Sequence, residues 1–153
     1  MRINVITIFP EIFDILNVGV ISKSLKNKII KLDIRDLRKN ATNKHNNIDS
    51  KPYGGGEGMV MMAEPIVKTL KQIKKKERGP VIFMSPQGEK LDQKKVKSFS
   101  KLKNITIICG RYEGIDQRVI DKYVDEEISI GDFILSGGAV SYTHLRAHET
   151  CTN

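Results

Sequence analysis

Cys109-Gly110-Arg111-Tyr112-Glu113-Gly114 places a guanidinium and a carboxylate between two glycines, directly after the apolar run Ile105-Thr106-Ile107-Ile108. A carboxylate so placed can accept two neighbouring N–H donors, and a guanidinium can donate to an oxygen. The Watson–Crick edge of guanine offers that pattern, N1–H and N2–H beside O6, so Glu113 is a candidate guanine contact. The plainer reading of Glu113 is a rim glutamate balancing Arg111. Arg111 itself reads as structural or phosphate-facing rather than base-reading. Two further segments mix glycine with polar residues: Ser85-Pro86-Gln87-Gly88 and Ile130 to Gly138, reading IGDFILSGG. Glycine lets backbone amides and carbonyls approach a ligand closely, and three such turns together would build one pocket. None reads G-x-G-x-x-G after a strand, and Tyr53 to Gly58 (YGGGEG) lacks the lysine and hydroxyl of a P-loop. A pocket without a phosphate cradle suits a neutral or cationic small molecule better than a nucleoside triphosphate.

Other residue groupings carry weaker chemistry. His144, His148 and Cys151 have a superficial metal-ligand spacing, but no CxxC partner or fourth ligand accompanies them, and no metal site is expected. His45, between Lys44 and Asn46, reads either as a phosphate or ribose contact or as an exposed bystander. Met59, Met61 and Met62 most simply fill an irregular core beneath the glycine loop.

The elements that must position these turns follow from periodicity. Arg2 to Phe9 alternates like a strand and ends at Pro10, which suits the first turn of a helix. Phe13, Leu16, Val20 and Ile21 are expected on the inner face of helical segments up to about Lys26. Leu32, Ile34 and Leu37 predict a second strand, and Arg38 to Gly58 a long ordered loop. Ile66, Leu70 and Ile73 predict a helix over Pro65 to Glu77, broken at Gly79-Pro80. Val81 to Met84 predicts a short strand ending at Ser85-Pro86-Gln87-Gly88. Asp92 is expected to cap a helix over Gln93 to Leu102, and Asp116 one over Gln117 to Tyr123. Ile105 to Cys109 and Glu127 to Ser129 read as strands. Alternating helices and apolar strands predict an α/β domain with a mostly parallel sheet and flanking helices. In such sheets ligands bind beyond the carboxyl ends of the strands.

Length and charge set the outer bounds. The chain has 153 residues, enough for one domain with its own core. No apolar run approaches the roughly 20 residues of a bilayer span, and Met1 to Val5 leads straight into a strand without the apolar core of a signal peptide. Two cysteines without framework spacing point to a reducing compartment, so a cytoplasmic location is expected. Of 26 basic residues 19 are lysines, and the net charge is +8. That field attracts polyanions, although lysines also solvate helix faces.

Six blocks in order carry a resemblance: Phe9 to Phe13 (FPEIF), Arg35 to Asn40 (RDLRKN), Ile48 to Met62 (IDSKPYGGGEGMVMM), Ser85 to Gln93 (SPQGEKLDQ), Cys109 to Val119 (CGRYEGIDQRV) and Glu126 to Gly138 (EEISIGDFILSGG). Together they resemble the bacterial tRNA (guanine-N1)-methyltransferase family, TrmD, of the SPOUT class. The resemblance implies a SPOUT α/β fold with a C-terminal trefoil knot, followed by a smaller helical domain. It also implies a homodimer with active sites at the subunit interface. The implied reaction moves a methyl group from S-adenosylmethionine to N1 of the guanosine 3′ of the tRNA anticodon, with magnesium assistance in the full-length enzyme. By position, the donor would lie on Ser85, Pro86, Gln87, Gly110, Ile130, Gly131, Asp132, Phe133, Ile134, Leu135, Gly137 and Gly138. The guanine would lie on Glu113, with Asp49, Tyr53, Gly54 and Gly55 helping to place it. Lysine-rich faces would contact phosphates of the anticodon stem-loop.

The pattern departs after Gly138. Residues 1–138 read as the donor-binding domain, and 139–153 are similar to a translated sequencing adapter, so a non-native tail and an incomplete knot are expected. The family's general-base aspartate and catalytic arginine lie beyond Gly138, so no catalytic residue is expected here, and inactivity and impaired dimerisation are expected with it. The competing readings are a non-catalytic basic α/β RNA-binding module and a SPOUT methyltransferase acting on another RNA.

Overall fold

The computed structural model describes residues 1–41, 47–52, 55, 58–112, 114–131 and 138. The first strand, β1 (Arg2–Thr7), is buried at every position from Ile3 to Thr7, because it lies inside the sheet with both faces covered. Its buried polar Asn4 is therefore satisfied locally: its amide donates to the Glu77 carbonyl at 2.8 Å and to Thr106 Oγ1 at 3.2 Å. A 3₁₀ helix over Pro10–Asn17 follows, with Pro10 at its start, then α1 (Gly19–Lys26) and β2 (Lys31–Asp36). Leu37 is fully buried but begins a second 3₁₀ turn, Leu37–Asn40, instead of extending the strand. The expected long loop also holds β3 (Asp49–Ser50), paired antiparallel with β4 (Val60–Met61).

The helix expected over Pro65 to Glu77 divides in two. α2 (Ala63–Gln72) stops where Ile73 turns extended, and α3 (Lys75–Arg78) is a separate turn. β5 (Val81–Lys90) does not end at Met84 as expected. Met84 and Glu89 both stand opposite Ile128, so Ser85 to Gly88 loop out of the ladder as a bulge. α4 (Gln93–Ser100), β6 (Asn104–Cys109), α5 (Gln117–Tyr123) and β7 (Glu126–Ser129) complete the described elements. The sheet order is β2-β1-β6-β5-β7, and every neighbouring pair is parallel.

Side chains two apart on a strand share a face, and the core divides accordingly. Ile3, Val5, Ile105 and Ile107 pack with Phe13, Leu16 and Phe99 on one face. Ile6, Ile8 and Ile108 pack with Ile66, Leu70 and Val119 on the other. Val20, expected inside, is 65% exposed, whereas Phe13 and Leu16 are buried. Among the described residues no helix is long and apolar enough to cross a membrane.

Two local devices give measurable expectations. Asp92 accepts from Lys95 N–H at 2.7 Å and caps α4, so Asp92→Ala should lower the free energy of unfolding in urea by about 1 kcal/mol. At Asp33, burial favours the neutral form, but hydrogen bonds from Arg35 and Arg2 outweigh it and hold the carboxyl below its ordinary 3.8. Its contribution is thus present above the unfolded value and lost as pH falls through the lower folded one. Melting curves taken from pH 5 downward should show wild type losing stability more steeply than Asp33→Asn.

Candidate active site at the carboxyl ends of the strands

β6 ends at Cys109, whose neighbour across the sheet is Met84, and Met84 in turn faces Ile128 of β7. Gly110 and Ser85 therefore follow paired residues of neighbouring strands, while Ser129 pairs with Lys90 beyond the bulge. The Ser129 hydroxyl donates to the Gly131 carbonyl at 2.9 Å and accepts from the Gly131 N–H at 3.3 Å, folding the chain over the end of β7. Within the bulge, Gln87 N–H donates to the Ser85 hydroxyl at 3.2 Å.

The chain then reappears across the sheet. Gly138 N–H donates to the Gly110 carbonyl at 2.7 Å, although β5 separates β6 from β7. A Cβ on Gly138 would lie 2.8 Å from Gly110 N and 2.9 Å from Cys109 Cα. Two backbones thus meet with no room for a side chain, and the ends of β5, β6 and β7 are gathered with Gly138 into one place. Gly110 meets Gly138 there, Ile130 and Gly131 follow the end of β7, and Ser85, Pro86 and Gln87 lie in the β5 bulge. Asp132, Phe133, Ile134, Leu135 and Gly137 lie outside the described residues.

A second cluster abuts the first at the Cys109–Gly114 turn. Met61, read from sequence as core filler, is fully buried and also ties this turn to β4. Its N–H donates to the Gly114 carbonyl at 3.0 Å, its carbonyl accepts from Asp116 N–H at 2.9 Å, and its sulfur accepts from Arg111 N–H at 3.3 Å. Asp49, opposite Met61 in the ladder, hydrogen-bonds the Tyr112 side chain. Burial first, then the Asp49 charge and hydrogen bond, push the Tyr112 phenol above its ordinary value. Tyr112 has φ 60°, a left-handed conformation uncommon for a bulky residue and associated with functional turns.

The Arg111 guanidinium lies 4.6 Å from the Phe9 ring centroid and that of Arg38 lies 5.3 Å from it. Two cations gather on one aromatic ring, which agrees with the structural reading of Arg111 and adds Phe9 and Arg38 to the site. Neither was singled out from the sequence, because residues so far apart meet only after folding. Gly55, at φ +78°, donates its N–H to the Pro52 carbonyl at 3.3 Å. Glu113, Tyr53 and Gly54 lie outside the described residues, as do His45 and the positions of His144, His148 and Cys151.

Asp116 caps α5, and hydrogen bonds from Arg118 hold its carboxyl below the usual range. Beside it opens a cleft of about 850 Å³ between Ser50 to Pro52, the start of α2, and Val119 to Tyr123 of α5. This cleft flanks the Asp49 side and is separate from the strand ends. Cys109 is buried, and burial alone pushes its thiol far up, so it is unreactive structure.

The sequence model of the tRNA (Guanine-1)-methyltransferase TrmD family matches residues 1–146. The chain belongs to that family. The match runs past Gly138, where the quoted blocks end. A Clostridium botulinum (strain Alaska E43 / Type E3) tRNA (guanine-N(1)-)-methyltransferase is 46% identical over 141 residues, covering 92% of this chain and 59% of the relative. One from Buchnera aphidicola subsp. Baizongia pistaciae is 49% identical over 142 residues, covering 90% and 57%. The crystal structure of tRNA (m1G37) methyltransferase from Aquifex aeolicus superposes with a TM-score of 0.88 at 40% identity, covering 99% of this chain and 69% of that one. The α/β architecture with its parallel sheet is thus the SPOUT-type fold of TrmD. The chain spans under three fifths of the length of these curated relatives.

Proposed function

We propose that this chain supplies the methyl-donor and guanine sites of a tRNA (guanine-N1)-methyltransferase. The observation that carries the reading is the contact of Gly138 with Gly110, beside Ser85 and Gly131 on neighbouring strand ends. Strand ends that present backbone, with the hydroxyls of Ser85 and Ser129, would suit a nucleoside carrying a sulfonium. Ser85 to Gln87, Gly110, Ile130 to Leu135, Gly137 and Gly138 would hold S-adenosylmethionine. When bound, it supplies an electrophilic methyl group and leaves as a neutral thioether.

Glu113, flanked by the strained Tyr112 and by Gly114, would accept N1–H and N2–H of the target guanine. Asp49, held by Tyr112, would fix the opposite rim with Tyr53 to Gly55. Guanine N1 is protonated at neutral pH, so its proton must leave before or during transfer, and nearby cations must support charge on O6. Arg38 and Arg111 give this end of the sheet that positive potential. Extrusion of the base from its stack would precede all of this. The family resemblance implies magnesium assistance, but among the described residues no three His, Cys, Asp or Glu side chains converge on a metal site.

Calorimetric titration with S-adenosylhomocysteine tests the donor site. Wild type should bind saturably, Gly131→Val should abolish binding, and Glu113→Ala should leave donor affinity nearly unchanged. Absence of wild-type binding would sink the reading, and a large loss in Glu113→Ala would reassign that residue.

We also propose a homodimer. Ile12, Ile15, Val18 and Val20 are 40, 64, 66 and 65% exposed on the 3₁₀ helix and the start of α1. Four large apolar side chains exposed on one segment suit an interaction face, and a second copy is its proposed occupant. In sedimentation velocity, Ile15→Asp should shift a dimeric wild type to monomer; a monomeric wild type would dismiss the proposal.

A further inference from the structure

We propose that the amino-terminal edge of the sheet, opposite the donor site, is a second surface for the phosphate backbone of an RNA helix. The proposal rests on the reading of RNA as substrate but concerns a different end of the molecule. β1 from Arg2 to Thr7 alone separates the two ends by about 17 Å.

Three connections deliver lysines to this edge. Lys28 sits at φ 58° in the turn before β2, and Lys31 opens that strand. Arg2 pairs with Lys31 on one side and Asn104 on the other, and Arg2 N–H donates to the Lys103 carbonyl at 2.8 Å. Asn104 then donates its amide to the Lys76 carbonyl at 3.0 Å, which draws the run Lys74 to Lys76 onto the same edge. All of these lysines are exposed.

Two carboxylates of the edge, Asp33 and Glu77, are neutralised by arginine, and Asp125 before β7 accepts from Val81 N–H at 2.7 Å. Arg2 bridges Asp33 and Glu77, each at 3.2 Å, and Arg35 adds a second bridge to Asp33 at 2.9 Å. Among the described residues no lysine of the edge has a carboxylate partner. Two cations elsewhere are matched: Lys95 is held between Glu89 and Glu126, and Arg118 pairs with Asp116. The edge thus gathers exposed lysines from three connections into one positive field. Protein interfaces are depleted of lysine and enriched in aromatic residues, whereas lysine contacts to phosphates are sequence-independent. Ile29 is the exposed large apolar side chain in this neighbourhood, so RNA backbone fits the edge better than a protein does.

Fluorescence anisotropy with an RNA hairpin lacking guanosine in its loop, over a salt series, tests this. Lys31→Glu/Lys75→Glu/Lys103→Glu should weaken binding at least about tenfold at low salt. The slope of log K against log salt should shrink by two to three, roughly one phosphate per lysine. Lys68→Glu/Lys71→Glu/Lys94→Glu, the same charge change on exposed helix positions, should weaken binding far less. Equal losses in both triple variants, or no loss in the first, would overturn the proposal. Displacement of the hairpin by polyglutamate at equal charge would overturn it in favour of an acidic protein partner. Glutamine substitutions at Lys31, Lys75 and Lys103 repeat the test should the glutamates unfold the chain. S-adenosylhomocysteine titration keeps the readings apart: edge variants should retain wild-type donor affinity, and a wild type that binds the hairpin but no donor would refute only the methyltransferase reading.

Discussion

Gly138→Ala is expected to weaken S-adenosylhomocysteine binding at least about tenfold, or about 1.4 kcal/mol, while the melting midpoint moves by only a few degrees. The new methyl carbon would fall 2.8 Å from Gly110 N and 2.9 Å from Cys109 Cα. Both atoms are backbone at the end of a central strand whose residues Ile105 to Cys109 are all buried, so they cannot give way cheaply. Gly138 must move instead, and its hydrogen bond to the Gly110 carbonyl is lost. The proposed donor site is expected to open at that point while the sheet core, which Gly138 does not fill, stays intact. Calorimetry and thermal melts on the same sample decide the matter. Unchanged affinity would mean that the Gly138–Gly110 contact does not shape the donor site. Unfolding of the whole chain would make the contact a determinant of the fold instead.

Gly79→Ala has the opposite profile, a large loss of stability at a position far from the proposed site. Gly79 has φ 60° and ψ −164°, a region accessible essentially to glycine alone. Any Cβ there would lie 2.1 Å from the Asn104 carbonyl oxygen and 2.5 Å from its carbon. Those atoms belong to β6, and the connection is clasped to it: Thr106 donates its hydroxyl to the Arg78 carbonyl at 2.6 Å and its N–H to Pro80 at 2.9 Å. Backbone strain and steric overlap together should cost roughly 3 kcal/mol or more. That is a substantial share of the 5–15 kcal/mol typical of a domain. Urea denaturation reads it directly, and a midpoint within error of wild type would show that the connection relaxes freely.

The candidate site was partly legible because its motifs sit where strands stop. Ile105 to Cys109 followed by Gly110 announced a strand end with a turn, and the sheet pairs Met84 with Cys109 and Ile128, close before the three turns. The bulge at Ser85 to Gly88 was not legible. Pro86 and Gly88 look like a strand terminus, and only pairing with β7 lets Glu89 and Lys90 rejoin the ladder. The Asp49–Tyr112 bond and the gathering of Arg38 and Arg111 on Phe9 join residues that no periodicity connects.

What the sequence by itself determined was local. Asp92 and Asp116 cap helices because each side chain reaches an amide two or three residues on. Strands β1, β2, β6 and β7, within one or two residues of their expected bounds, follow from side chains that must alternate between two covered faces. Tertiary structure decided the strand order, the burial of Phe13 but not Val20, the return of Gly138 to Gly110, and the assembly of lysines from three connections into one edge. Those outcomes depend on which distant backbone groups pair and on which face packs against which helix. Such choices are settled by the total burial and hydrogen bonding of the folded chain, so no short stretch of residues carries them.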